Sequence, residues 1–82
     1  MTNTDPARPK GTVEVQTFDD VALVTITGLV DEQFRGFGEL GAARAVVLNV
    51  AGMTRMTSFG VRQWLRGMDQ LPKTINDVFL LG

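Results

Sequence analysis

Apolar and polar positions begin to alternate at Thr12. Val13, Val15 and Thr17 are separated by Glu14 and Gln16, the period of a half-buried strand. Asp19-Asp20 is a polar break of hairpin length, and 21–27 (Val-Ala-Leu-Val-Thr-Ile-Thr) reads as a second, more buried strand. Together they predict an antiparallel hairpin. Ahead of them, residues 1–11 are polar, contain Pro6 and Pro9 and show no period, so they read as a disordered leader.

Asp31-Glu32 then suit a helix N-terminus. Phe34, Phe37 and Leu40 follow at three-residue spacing and predict a short helix over 31–40, weakened by Gly36 and Gly38. The run 45–50 is continuously apolar apart from Asn49 and rich in β-branched residues, which predicts a central strand covered on both faces. A short loop leads to a second helix. There Val61, Trp64, Leu65, Met68 and Leu71 make one apolar stripe, with Arg62, Gln63, Arg66 and Asp69 on the other side. Leu71-Pro72 ends it, and 78–81 is a last apolar run. The order β-β-α-β-α-β predicts an α/β fold, a mixed four-stranded sheet with helices packed on it.

Composition narrows the function. Eighty-two residues fit one small domain, placed here at 12–82. Eight Lys+Arg against nine Asp+Glu give a net charge of −1, which argues against a nucleic-acid binder. The chain has no cysteine and no histidine, so thiol nucleophiles, disulfides and the usual metal ligands and general bases are missing. No enzyme, metal or cofactor is expected on that basis. No apolar stretch approaches the roughly 18 residues of a membrane span, and the first ten residues lack the apolar core of a signal peptide. Cytoplasmic residence without membrane contact is the plain expectation.

Gly36-Phe37-Gly38-Glu39-Leu40-Gly41 has the spacing of a dinucleotide-binding loop. That chemistry requires a strand, a glycine turn and then a helix whose N-terminus meets the pyrophosphate. Here a strand follows the glycines instead, so the match carries no cofactor site.

The informative segment is Thr57-Ser58-Phe59-Gly60-Val61, at the mouth of the amphipathic helix. Unpaired amides and the helix dipole make this place hospitable to an anion. Ser58 could carry a phosphate there, with Arg55 or Arg62 neutralising it; alternatively Thr57 or Ser58 simply caps the helix. On either account Ser58 should lie at the N-cap or one residue from it. Arg62 and Arg66 form either a solvated face or a docking patch. Trp64 belongs to the core. Met53, Met56 and Met68 fit core gap-filling better than a partner surface, while Phe37 and Phe59 are candidates for partial exposure near the turn.

This same segment resembles the STAS domains, named for sulfate transporters and anti-sigma factor antagonists. Their pattern runs from a buried strand through a loop to a serine-glycine turn, "Asp-Ser-Ser-Gly-hydrophobic", that opens an amphipathic helix. Thr57-Ser58-Phe59-Gly60-Val61 corresponds to that turn, with Thr57 in place of the acidic residue and Phe59 in place of the second serine. The strand from Val46 to Val50 is similar to the family's, with Asn49 at its usual aspartate, and Gly28-Leu29-Val30-Asp31 matches "Gly-x-hydrophobic-Asp". The resemblance covers 12–82. It implies a non-enzymatic switch in which Ser58 is the phosphoacceptor for a serine kinase that is often also an anti-sigma factor. Thr57, Phe59, Gly60, Arg62 and Arg66 would form the partner-binding surface. The rival is a self-associating scaffold of the same fold with no phospho-switch; a small-ligand module at 57–60 ranks below both. STAS-like domains usually continue beyond this last strand, so the chain is expected to be C-terminally shortened. Leu80 and Leu81 should then lie in or beneath a contact within a homodimer or larger assembly.

Overall fold

The structure, a computed structural model, describes residues 11–82. Of the predicted leader, residues 1–10 lie outside the described residues. In chain order the elements are β1 (Thr12–Phe18), β2 (Val21–Val30), β3 (Ala45–Met56), α1 (Ser58–Asp69) and β4 (Asp77–Leu81). The strands form one sheet in the order β1-β2-β3-β4. β1 and β2 pair antiparallel, whereas β2–β3 and β3–β4 are parallel. The expected mixed four-stranded sheet is therefore present.

The hairpin closes through two residues, with Phe18 opposite Val21 and Asp19 at φ +55°. A two-residue hairpin needs such left-handed backbone, which Asp tolerates better than most residues. In β2, Ala22, Val24, Ile26 and Val30 are buried while Val21, Leu23, Thr25, Thr27 and Leu29 are half-buried. Val46 and Leu48 of β3 extend the buried row, in register with Ala22 and Val24. Burial of this face is the main source of cohesion, at about 25 cal/mol per Å² of apolar surface.

The expected helix over 31–40 does not form. Gly36, Gly38 and Gly41 adopt φ of +97°, +84° and +60°, left-handed conformations that no right-handed helix contains. The segment runs as coil, yet Phe34, Phe37 and Leu40 still reach the core; their spacing marked burial, not helix. Phe37 is thus buried rather than partly exposed. β3 also departs from expectation. It continues to Met56 where a loop was predicted, with Gly52 to Met56 following β2 past two register shifts. It is not covered on both faces either, for Val47 and Asn49 are only half-buried.

Candidate functional site

Parallel pairing sets Val30 at the end of β2 beside Met56, where the chain passes from β3 into α1. Thr57 lies between them in extended backbone and caps the helix, its Oγ1 accepting a hydrogen bond from the Gly60 amide at 3.0 Å. The Thr57 amide donates to the Val30 carbonyl at 3.0 Å, tying the turn to the end of β2. Ser58 is the first residue of α1 and is exposed. No acidic residue occupies the first helical turn, so the positive end of the helix dipole has no carboxylate on α1 beside it.

The apolar stripe seats differently from its sequence reading. Gly60 and Gly67 are the buried residues of α1, seven apart and so on one face. A Cβ at Gly60 would overlap the Val30 carbonyl, and one at Gly67 would come within 3.1 Å of the Phe37 ring. Two glycines therefore let the helix backbone rest directly on β2 and the coil. Trp64 stacks on Phe34 with ring centroids 5.7 Å apart and meets Phe37 edge-on at 5.0 Å. Trp64, Met68 and Leu71 pack on the core, as do Met53 and Met56. Val61 and Leu65 instead turn outward, 44% and 62% exposed. Periodicity placed them in the stripe, but the glycine contact rotates the helix away from that choice.

Of the candidate residues, Ser58, Phe59, Arg62 and Arg66 are exposed. Their spacings of three and four residues bring Phe59, Arg62 and Arg66 together on one outward face, with Ser58 one turn before Arg62. Phe59 exposes 59% of its surface. Thr57 is half-buried, and Gly60 is buried under the helix, so it shapes the turn rather than offering a contact. Asn49, at the strand position noted above, accepts the Ala51 amide at 3.1 Å beside the register shift in β3. The contact face of Gly60 and Gly67 was not anticipated; their seven-residue spacing was the available signal.

A cavity of about 590 Å³ lies between β1, β2 and the coil, lined by Val13, Val15, Leu29 and Phe34 among others. Its lining includes none of 57–60. Among the described residues no group of three or more acidic, histidine or cysteine side chains is placed to hold a metal ion. No helix there is long and apolar enough to cross a membrane.

No family model matches the sequence, and no curated protein matches it significantly. A solved structure does: an anti-sigma factor antagonist from Mycobacterium paratuberculosis, with a TM-score of 0.65 and 22% identity, over 98% of this chain and 74% of the other. The chain therefore shares the fold of that solved structure, a mixed four-stranded sheet with a helix packed on it.

Proposed function

We infer that this chain is a non-enzymatic, cytoplasmic signalling module that docks a regulatory protein through the exposed face of Ser58, Phe59, Arg62 and Arg66, without nucleic acid, membrane or cofactor. The division of labour between Thr57 and Ser58 carries this reading. Thr57 makes the capping hydrogen bond, so the fold does not require the Ser58 hydroxyl for that purpose. Ser58 then stands exposed at the first helical position, where added negative charge meets the favourable end of the dipole. The likeness in fold to an anti-sigma factor antagonist supports a partner of the serine-kinase or anti-sigma type, with Ser58 as phosphoacceptor. Exposed Phe59 adds an aromatic anchor of the kind that dominates interfaces, and Arg62 and Arg66 favour an acidic rim on the partner.

The test is phosphosite mass spectrometry on protein isolated from its own cell, together with binding of the co-purified partner to Ser58→Asp and Phe59→Ala. Phosphate on Ser58 and weakened binding by both variants are expected. An unmodified Ser58 with undiminished binding would remove the reading. A self-associating scaffold is the second reading, favoured by one observation: Val78, Phe79, Leu80 and Leu81 are all exposed.

A further inference from the structure

Two contacts fix the first part of the coil between β2 and β3. It leaves β2 through a tight turn, with the Phe34 amide on the Asp31 carbonyl at 3.0 Å and the Gln33 amide on Asp31 Oδ1 at 2.9 Å. It meets β1 at Gly38, where φ is +84° and a Cβ would come within 2.9 Å of Val15 Cγ2. Between these contacts the coil, β1, β2 and Gly11 frame the cavity of about 590 Å³. Every wall comes from these elements, and β4 takes no part.

A close-packed core tolerates few voids larger than a water molecule, whereas small-molecule sites span roughly 300–1,000 Å³. Val13, Val15, Ile26, Val30 and Phe34 make the walls apolar, so an occupant must be apolar along most of its length. Residues 1–10 offer Met1 as their one large apolar side chain, too little to fill such a space. The mouth is different. Exposed Gln33 and Arg35 line it together with half-buried Asp31. One Asp31 oxygen already serves the Gln33 amide, while the Arg35 guanidinium presents a planar fork of donors that matches a carboxylate. The chemistry called for is an apolar chain that ends in a carboxylate.

We propose that this cavity binds an amphipathic carboxylic acid of the fatty-acid type, its chain among Val13, Ile26 and Phe34 and its head group at Arg35. Two residues link the site to α1. Phe34 lines the cavity and stacks on Trp64. Val30 lines it too, and its carbonyl accepts the Thr57 amide. An occupant therefore presses on two residues that seat α1. Binding does not depend on the docking role given to Ser58; only an effect of the ligand on docking would.

Decanoate, kept below its micelle concentration and titrated into the full chain, is the probe. Trp64 is the only tryptophan and lies one ring away from the cavity. A saturable change in its emission is expected, with heat of binding at the same midpoint by calorimetry. Arg35→Gln should weaken decanoate roughly tenfold, the worth of one charge-assisted hydrogen bond, and leave uncharged decanol unaffected. Decylammonium should bind roughly tenfold more weakly than decanoate, or worse. Val13→Phe puts a ring into the cavity and should abolish binding with an unchanged circular dichroism spectrum; Arg35→Gln, at an exposed position, keeps the test decisive if Val13→Phe does not fold. An unresponsive Trp64 without heat, as when residues 1–10 or a segment joined beyond Gly82 fill the cavity, would overturn the proposal. So would decanoate binding that survives Val13→Phe or is untouched by Arg35→Gln, or decylammonium binding as tightly as decanoate, whatever the outcome at Ser58.

Discussion

Gly60 lies directly against the carbonyl oxygen of Val30, and the same carbonyl accepts the Thr57 amide. One oxygen at the end of β2 thus fixes both the cap of α1 and its first inward-facing residue. Gly60→Ala places a methyl group on that oxygen, so the helix must lift. A loss of about 1–3 kcal/mol is expected, read as a lower urea midpoint with an unchanged slope. An alanine variant as stable as the parent would mean that α1 does not seat here.

Thr57 and Ser58 should separate cleanly under alanine substitution. Thr57→Ala removes the oxygen bonded to the Gly60 amide and should cost about 1 kcal/mol. Ser58→Ala, at an exposed helical position, should change stability by less than about 0.5 kcal/mol. Equal costs in thermal unfolding would contradict the assignment of the cap to Thr57.

Ser58→Asp brings a carboxylate to a helix start that has none in its first turn. The folded state should gain about 0.3–1 kcal/mol at low ionic strength, and the gain should fade as salt is added. Parallel denaturation curves at low and high salt check this. Loss of stability at low salt would rule out the favourable field on which the phosphoacceptor reading depends.

Gly38 and Gly41 both adopt positive φ, but their surroundings differ. A Cβ at Gly38 would approach Val15 Cγ2 to 2.9 Å, while one at Gly41 meets nothing within 4 Å. Gly41→Ala should cost about 1–2 kcal/mol from backbone strain alone, and Gly41→Asn should recover part of it. Gly38→Ala carries the same strain plus the Val15 contact and should be the worse variant by chemical denaturation.

Trp64 packs against both Phe34 and Phe37. Trp64→Ala should cost about 3–5 kcal/mol, a large share of the stability of so small a domain. Loss of cooperative thermal unfolding by circular dichroism is the expected result, with Trp64→Phe retaining a measurable transition.

The strands were legible because β-branched alternation in β1 and β2 and the apolar run at 45–50 each have a single cheap way to bury themselves. The cap region was legible for a similar reason, since polar Thr57-Ser58 precedes an amphipathic stretch. The coil at 31–44 was not. Three-residue spacing of Phe34, Phe37 and Leu40 is shared by helices and by irregular chain that dips repeatedly into a core, and only the backbone angles of Gly36, Gly38 and Gly41 distinguish them. The rotation of α1 was hidden too, because a hydrophobic stripe counts side chains and gives glycine no weight. Where backbone itself is the contact surface, as at Gly60 and Gly67, periodicity points to the wrong flank.

The coil between β2 and β3 also bears on how the chain finds its fold. The β1–β2 hairpin closes over two residues and can form within about 1–10 μs. β2 and β3 instead meet across fourteen intervening residues whose glycines are at their most flexible before folding, and no helix forms on the way to shorten the search. Each parallel contact is therefore made only after loop-closure entropy has been lost. The barrier should lie where β3 docks on a preformed hairpin, and substitutions that stiffen 31–44 without clashing should speed refolding more than they slow unfolding.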